Sequence, residues 1–201
     1  MSAVPVLTST IDVDAPEWLV VPGADELTPA WRADVLALFD AVADIDREAQ
    51  GPDRLFADGP SVDPEHAVDT LLEFRASLDG DERLVAALTV PNRWPLPVIV
   101  SVGVADESGP DLLELAGATG GAPSDPPAVD ELPEDVGGEG PVVTRFDVDD
   151  EGVIWATVCA VRRQGGVDTR VLWRTRELDV VPVFAPEVVA LVGRVRNEVS
   201  A

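Results

Sequence analysis

The feature that most constrains the fold is a pair of β-rich segments joined by a tight turn near the C-terminus. In Val167 to Thr175 β-formers occupy the odd positions, while the even positions hold Asp168, Arg170, Leu172 and Arg174, which is close to the period-two pattern of a half-buried strand. Val153 to Arg163 is its predicted partner, because Gln164-Gly165-Gly166 supplies the glycines of a hairpin turn. A second turn, Asp149 to Gly152, leads back to Val142 to Val148. We therefore expect three consecutive antiparallel strands.

Two segments beyond the hairpin complete the predicted C-terminal part, residues 141–199. Leu178 to Phe184 is expected to add a fourth strand. Pro186 is expected to open a helix that extends through Val199 and covers one face of the sheet.

Helix signals dominate the N-terminal half. Thr28 followed by Pro29 is an N-cap and first-turn signal, and apolar residues then recur at helical spacing up to Ile45. Asp63 followed by Pro64 repeats the signal and predicts a second helix that ends near Gly80. The apolar face of the first helix is expected to comprise Trp31, Val35, Leu38, Phe39, Val42 and Ile45.

The order of elements predicts an α+β protein, with an antiparallel sheet packed with helices and an acidic helical N-terminal half. Leu84 to Val90 and Val98 to Ala105 are predicted strands joined by a proline-rich bend. Residues 118–140 are almost all proline, glycine, alanine and acid, which predicts a mobile acidic loop or linker. We expect residues 1–201 to form a single domain.

The charge of the chain is unevenly distributed. Met1 to Gly140 holds 29 of the 38 carboxylates but 6 of the 14 arginines, a net charge of −23, whereas Pro141 to Ala201 is nearly neutral. A field of this sign repels nucleic acid and anionic membranes and favours basic partners. Direct nucleic-acid binding is therefore the least favoured class.

Composition also bears on location. The single cysteine, Cys159, cannot form an internal disulfide, which fits a reducing compartment. Met1 to Glu17 has no basic residue and no long apolar run, and no stretch reaches the ~20 apolar residues of a spanning helix. We predict a cytoplasmic protein that does not enter membranes.

No sequence motif indicates a particular reaction, so we assign no catalytic, cofactor-binding or metal-binding residues. The single histidine, His66, is interpreted as a solvated residue of a first helical turn, and Cys159 as a small buried side chain. Asp147 to Gly152 has the alternating acids of a calcium loop, but Val158 stands where a bidentate glutamate is required. This segment is interpreted as a hairpin turn.

The candidate contact residues are basic or aromatic side chains. Arginine pairs bidentately with carboxylates and phosphates, so arginines on one sheet face would bind an acidic partner, or alternatively neutralise the protein's own acids. Trp94 lies between prolines in a bend, where an exposed ring would suit a contact, and packing in the core is the alternative for this residue. Trp155 and Trp173 are assigned to the core. The predicted partner-binding residues are Trp94, Arg145, Arg162, Arg170, Arg174 and Arg176.

The order of the C-terminal elements resembles the end of PsbP-like α+β domains of actinobacterial accessory proteins. It comprises antiparallel strands over Val153 to Arg163 and Val167 to Arg176, then Val180 to Phe184, then a helix from Pro186. The resemblance implies a binding or assembly factor rather than an enzyme, and implies no functional residue.

The sequence thus favours a non-catalytic cytoplasmic adaptor or accessory factor that binds another protein with a basic surface. One alternative is an acidic mimic of nucleic acid that inhibits a DNA-binding protein. Another is a small-molecule or cation-binding enzyme without a recognisable motif. A homodimer is also left open.

Overall fold

The computed structural model describes residues 6–13, 17–48, 56, 62–106, 109–120 and 124–200. It confirms an α+β fold. The chain divides into two compact units, one formed by Met1–Asp12 with Val98–Ala201 and the other by Val13–Pro97. The sequence predicted one domain and did not predict this division.

The helices and strands follow one another in an irregular order. They are β1 (Val6–Ile11), β2 (Trp18–Val21), α1 (Pro29–Glu48), α2 (Pro64–Ser77), β3 (Glu82–Ala87), β4 (Leu96–Val104), α3 (Leu112–Leu115), β5 (Ala128–Glu131), β6 (Pro141–Val148), β7 (Ile154–Gln164), β8 (Val167–Thr175), α4 (Val181–Gly193) and β9 (Val195–Ser200).

The two helices of the unit Val13–Pro97 begin where the sequence predicts. The Thr28 hydroxyl accepts the Trp31 backbone N–H at 3.1 Å, and the Asp63 carboxylate accepts that of Glu65 at 3.1 Å. Each bond satisfies an N–H group that has no partner within the helix. In the same unit β2 pairs antiparallel with β3, from Trp18 opposite Ala87 to Val21 opposite Leu84.

The core of this unit differs from the predicted apolar face at one turn of α1. Val35, Phe39 and Val42 are buried as expected, but Ile45 is 62% exposed and the next residue, Asp46, is buried instead. The prediction for Ile45 is wrong because a buried hydrogen-bonding partner, described below, draws Asp46 inward.

The second unit contains the predicted three-stranded meander. β6, β7 and β8 pair antiparallel in sequence order, β4 adds to β8, and β5 adds to β6. The turn between β7 and β8 uses Gly165 and Gly166, both at positive φ, which glycine adopts without steric cost. α4 packs on one face of this sheet, where the ring of Phe184 meets that of Trp173 edge-on at 4.8 Å.

The end of the chain departs from the prediction at two places. Leu178 to Phe184 is not a strand, because a 3-10 turn over Leu178–Val180 leads directly into α4, which begins before Pro186. The predicted helix does not reach Val199, because β9 follows and pairs antiparallel with β1. Backbone pairing with the distant N-terminal strand overrides the local helical spacing of the valines.

The acidic segment 118–140 contains regular structure where a loop was predicted. β5 lies within it and pairs with β6, with Val129 opposite Val143, and a 3-10 turn follows over Glu134–Val136. Pairing with β6 supplies backbone hydrogen bonds that the composition of the segment does not reveal.

Candidate functional site

Four of the predicted arginines lie on one face of the sheet, the face opposite to α4. Arg170 and Arg174 alternate along β8 with Val171 and Trp173, so their side chains project away from the Trp173 side. Residues directly opposite one another on neighbouring strands point to the same face of the sheet. Arg174 of β8 is opposite Thr157 of β7, which is opposite Arg145 of β6, so Arg145 lies on the same face as Arg174. We call the surface formed by Arg145, Arg170, Arg174, Arg176 and Trp155 the arginine face.

The centre of the arginine face is a tryptophan ring approached by two guanidinium groups. The Cζ atom of Arg174 lies 4.4 Å from the centroid of the Trp155 ring, and that of Arg176 lies 5.0 Å from it. Both arginines are exposed and Trp155 is half-buried. These distances are within the range of cation–π attraction between a guanidinium group and an aromatic ring.

Asp149 fixes the orientation of the ring. Its Oδ2 atom accepts the Trp155 indole N–H at 2.8 Å, while Oδ1 accepts the backbone N–H groups of Glu151 and Val153 at 3.0 and 2.9 Å. The indole hydrogen bond and then the Val153 N–H lower the pKa of the Asp149 carboxyl, and Arg176 adds to this effect. The segment interpreted as a hairpin turn therefore also anchors the site.

Arg145 is neutralised by the protein itself. Its Nε and Nη2 groups donate to the two Asp147 oxygens at 2.8 and 2.6 Å, and Nη1 donates to the Gly117 carbonyl at 2.7 Å. A bidentate pair of this kind leaves little of the guanidinium for another ligand. At this residue the self-neutralising alternative raised by the sequence holds.

Arg170 lies beside the one cysteine. Cys159 is 1% exposed and packs with Val143 and Val161 against residues of α3. Burial raises the pKa of the Cys159 thiol, and the charge of Arg170 and a hydrogen bond from it act in the opposite direction. The interpretation of Cys159 as a small buried side chain is confirmed.

Trp94 is buried, so the structure agrees with the packing alternative and not with an exposed contact ring. The side chain is 3% exposed and its ring packs edge-on against Phe39 at 5.2 Å. Its indole N–H donates to Asp46 Oδ2 at 2.8 Å, and the backbone N–H of Asn92 donates to the same oxygen at 2.8 Å. The proline-rich bend buries this ring because a carboxylate inside the unit satisfies its polar atom.

Arg162 does not belong to the arginine face. It pairs with Thr169, so its side chain lies on the opposite side of the sheet from Arg163, and it is 3% exposed. Arg163, by contrast, forms a bidentate pair with Asp168, in which its Nε and Nη2 groups donate to the two carboxylate oxygens at 2.6 and 2.7 Å. The Nη2 group of Arg162 donates to the Val195 carbonyl at 2.5 Å, and burial lowers the pKa of its guanidinium.

Sequence reasoning missed Trp155 and Asp149 as parts of the site, because Trp155 was assigned to the core. The signal was present in the hairpin. The turn pairs Gln164 with Val167, and the same register pairs Ala156 with Thr175. One further step along both strands brings Trp155 opposite Arg176.

In the part of the chain that the structure describes, the other candidate groups raised by the sequence do not form a site of their own. His66 is exposed in the first turn of α2, as interpreted. Within the described ranges, no three His, Cys, Asp or Glu side chains converge as a metal-binding group. Among the same residues, no helix is both long and apolar enough to span a bilayer.

Comparison with protein-family models, curated proteins and solved structures finds no match. The resemblance to PsbP-like domains therefore stays a prediction.

Proposed function

We propose that this protein is a non-catalytic cytoplasmic adaptor or accessory factor that binds an acidic segment of another protein through the arginine face. One observation carries the proposal. Arg174 and Arg176 are exposed and held against Trp155, and neither forms an ion pair with a carboxylate of the described residues.

The charge of the protein makes this arrangement informative. With 38 carboxylates against 14 arginines, partners for arginine are abundant, yet these two guanidinium groups stack on a ring instead. A cation–π contact uses none of the N–H donors of a guanidinium group, so these donors can still bond to carboxylates. Because Trp155 is held by Asp149, the two cations are partly pre-organised for binding.

The remainder of the molecule selects against long polyanions. A net charge of −24 repels nucleic acid and anionic membranes at long range, whereas a short acidic peptide contacts only the arginine face. The exposed carboxylates of α1 and α2, among them Asp34, Asp40, Glu65 and Glu73, are candidate contacts for the basic partner expected from the sequence.

The test is affinity purification of the tagged protein from its native cells at low and moderate salt. The double variant Arg174→Gln, Arg176→Gln is compared with wild type and with Arg47→Gln. Arg47 is a matched control because it is exposed on α1, where it forms a local ion pair with Asp44. We expect a stoichiometric partner that wild type and the control retain, and that the double variant binds about 10-fold or more weakly.

Equal recovery of the partner by the double variant would remove the arginine face from the proposal. A purified protein that turned over substrates in a broad hydrolase and transferase screen would overturn the non-catalytic role.

A further inference from the structure

A second arginine environment lies on the other side of the sheet, beside a cleft of about 550 Å³. Residues from four elements line the cleft, including Arg162 and Gln164 of β7, Val167 of β8, Gly193 of α4 and Asn197 of β9. Small-molecule sites are largely pre-formed pockets with volumes of roughly 300–1,000 Å³ in which a few polar groups point towards the ligand. This cleft has that size, and all of its lining residues belong to the unit that contains Val98–Ala201.

Arg162 brings an uncompensated charge to the wall of the cleft. Its Nη2 group donates to the Val195 carbonyl, but its Nε group is buried without an acceptor. No carboxylate of the described residues forms an ion pair with it, and the other arginine of the cleft, Arg196, is already paired with Asp12 at 2.6 Å. A buried cation without a counter-ion is unfavourable, so a ligand that supplies the anion gains what the apo protein lacks.

Asn197 adds a second unsatisfied polar group. Its Nδ2 group donates to the Thr169 hydroxyl at 2.8 Å, whereas its Oδ1 atom is buried without a donor. Thr169 is itself fully buried, and it is the residue paired with Arg162 across β7 and β8. The wall therefore combines one buried donor that lacks an acceptor, Arg162 Nε, with one buried acceptor that lacks a donor, Asn197 Oδ1.

Gly138 allows the chain to pack closely against the side chain of Arg162. Gly138 has φ +77°, and a Cβ atom there would lie 2.9 Å from Arg162 Cγ and 2.8 Å from the Arg163 carbonyl. Any other residue would be strained and would push the chain away from the arginine stem. The uncompensated charge is thus held in place by the packing of the chain around it.

We propose that this cleft binds a small hydroxylated oxyanion, whose anionic group accepts hydrogen bonds from Arg162 and whose hydroxyl donates to Asn197. Carboxylate and phosphate share this chemistry. The site is independent of the arginine face, because Arg162 and Arg174 lie on opposite sides of the sheet.

The test is isothermal titration of the full chain with three probes: inorganic phosphate, glycerol 3-phosphate and malate. Wild type is compared with Arg162→Met and with Arg163→Met. Arg163 is a matched control because it is the next residue on β7, points to the other face and is paired with Asp168. We expect saturable binding to wild type and to the control, with affinity reduced about 10- to 100-fold in Arg162→Met.

Two further measurements distinguish a loss of the binding site from misfolding of the Arg162→Met variant. Without ligand, Arg162→Met is expected to have a higher Tm than wild type, since an apolar side chain replaces a buried unpaired charge. Asn197→Asp keeps the shape of the side chain but adds a negative charge, and is expected to weaken binding about 10-fold or more. Tighter binding of glycerol 3-phosphate than of malate identifies the anion as phosphate, and the reverse order identifies it as carboxylate; either order supports the proposal.

Equal affinity of wild type and Arg162→Met for the probe that binds would overturn the proposal. So would the absence of binding by all three probes at millimolar concentration, which would leave Arg162 as a structural donor to Val195.

Discussion

The buried carboxylate of Asp46 offers the sharpest test of how the unit Val13–Pro97 is held together. Its Oδ2 atom accepts the Trp94 indole N–H and the Asn92 backbone N–H, both at 2.8 Å, and the side chain is 7% exposed. Asp46→Ala leaves these two donors unpaired in the interior. Each unsatisfied buried donor costs about 1–3 kcal/mol, so we expect a loss of about 4 kcal/mol in the free energy of unfolding.

The assay is urea denaturation followed by tryptophan fluorescence, with native-state hydrogen exchange to assign the change to α1. Asp44→Ala is the matched control, since Asp44 lies two residues before Asp46 on the same helix but is exposed and forms a local ion pair with Arg47. Exposed pairs contribute about 0–1 kcal/mol, so the control is expected to remain within that range of wild type. The variant Trp94→Phe removes the indole donor and completes a double-mutant cycle with Asp46→Ala.

The reasoning would be refuted by a loss in Asp46→Ala no larger than in Asp44→Ala. It would also be refuted if the cycle showed no coupling between Asp46 and Trp94, because the hydrogen bond joins those two residues directly.

Three other predictions concern the unit that contains the sheet. Cys159 is expected to react with thiol reagents far more slowly in the native than in the urea-unfolded protein, because burial raises its pKa and excludes the reagent; equal rates would contradict this. The lowered pKa of Asp149 adds stability above its ordinary pKa, and this is lost as pH falls through the folded-state value. The Tm difference between wild type and Asp149→Asn should therefore be largest near neutral pH and shrink in acid, and a constant difference would exclude the carboxylate as its source. Phe184→Ala is expected to cost about 3–5 kcal/mol in chemical denaturation, because the ring is fully buried against Trp173; a cost below 1 kcal/mol would mean that the site collapses.

The parts of the fold that the sequence predicts well are those encoded by neighbouring residues. β7 and β8 follow from period-two alternation around two glycines, and both N-terminal helices follow from a capping side chain placed before a proline. In each case the interaction that forms the element joins residues close together in the chain. Local pattern was therefore sufficient.

The errors in the predicted fold arise where the structure of a segment depends on a residue far away in the sequence. Trp94 is buried because of Asp46, 48 residues away, and β9 exists because β1 lies beside it. Nothing near Val195 in sequence indicates that pairing, so helical spacing was the only signal there. α4 begins early because Pro182 falls in its first turn, where a missing N–H costs nothing.

Four of the six predicted site residues lie on the arginine face, and the error at Arg162 was one of strand register. Arg162 was grouped with Arg170 and Arg174, although the hairpin turn pairs Arg162 with Thr169, which faces the Trp173 side. A strand changes face at every residue, so an error of one position exchanges a buried arginine for an exposed one. The turn glycines contained enough information to place both Arg162 and Trp155 correctly.

The two proposed sites can be separated because the same strands present arginines to opposite faces. Carboxylates outnumber arginines in this chain, so an arginine without an ion pair reflects its position rather than a shortage of partners. Arg145 and Arg163 form ion pairs with Asp147 and Asp168. Arg174 instead lies over the Trp155 ring, and Arg162 is buried. Loss of the protein partner on Arg174→Gln with unchanged anion binding, and the reverse for Arg162→Met, would establish two independent sites. Loss of both functions in either variant would instead show that the sheet couples its two faces.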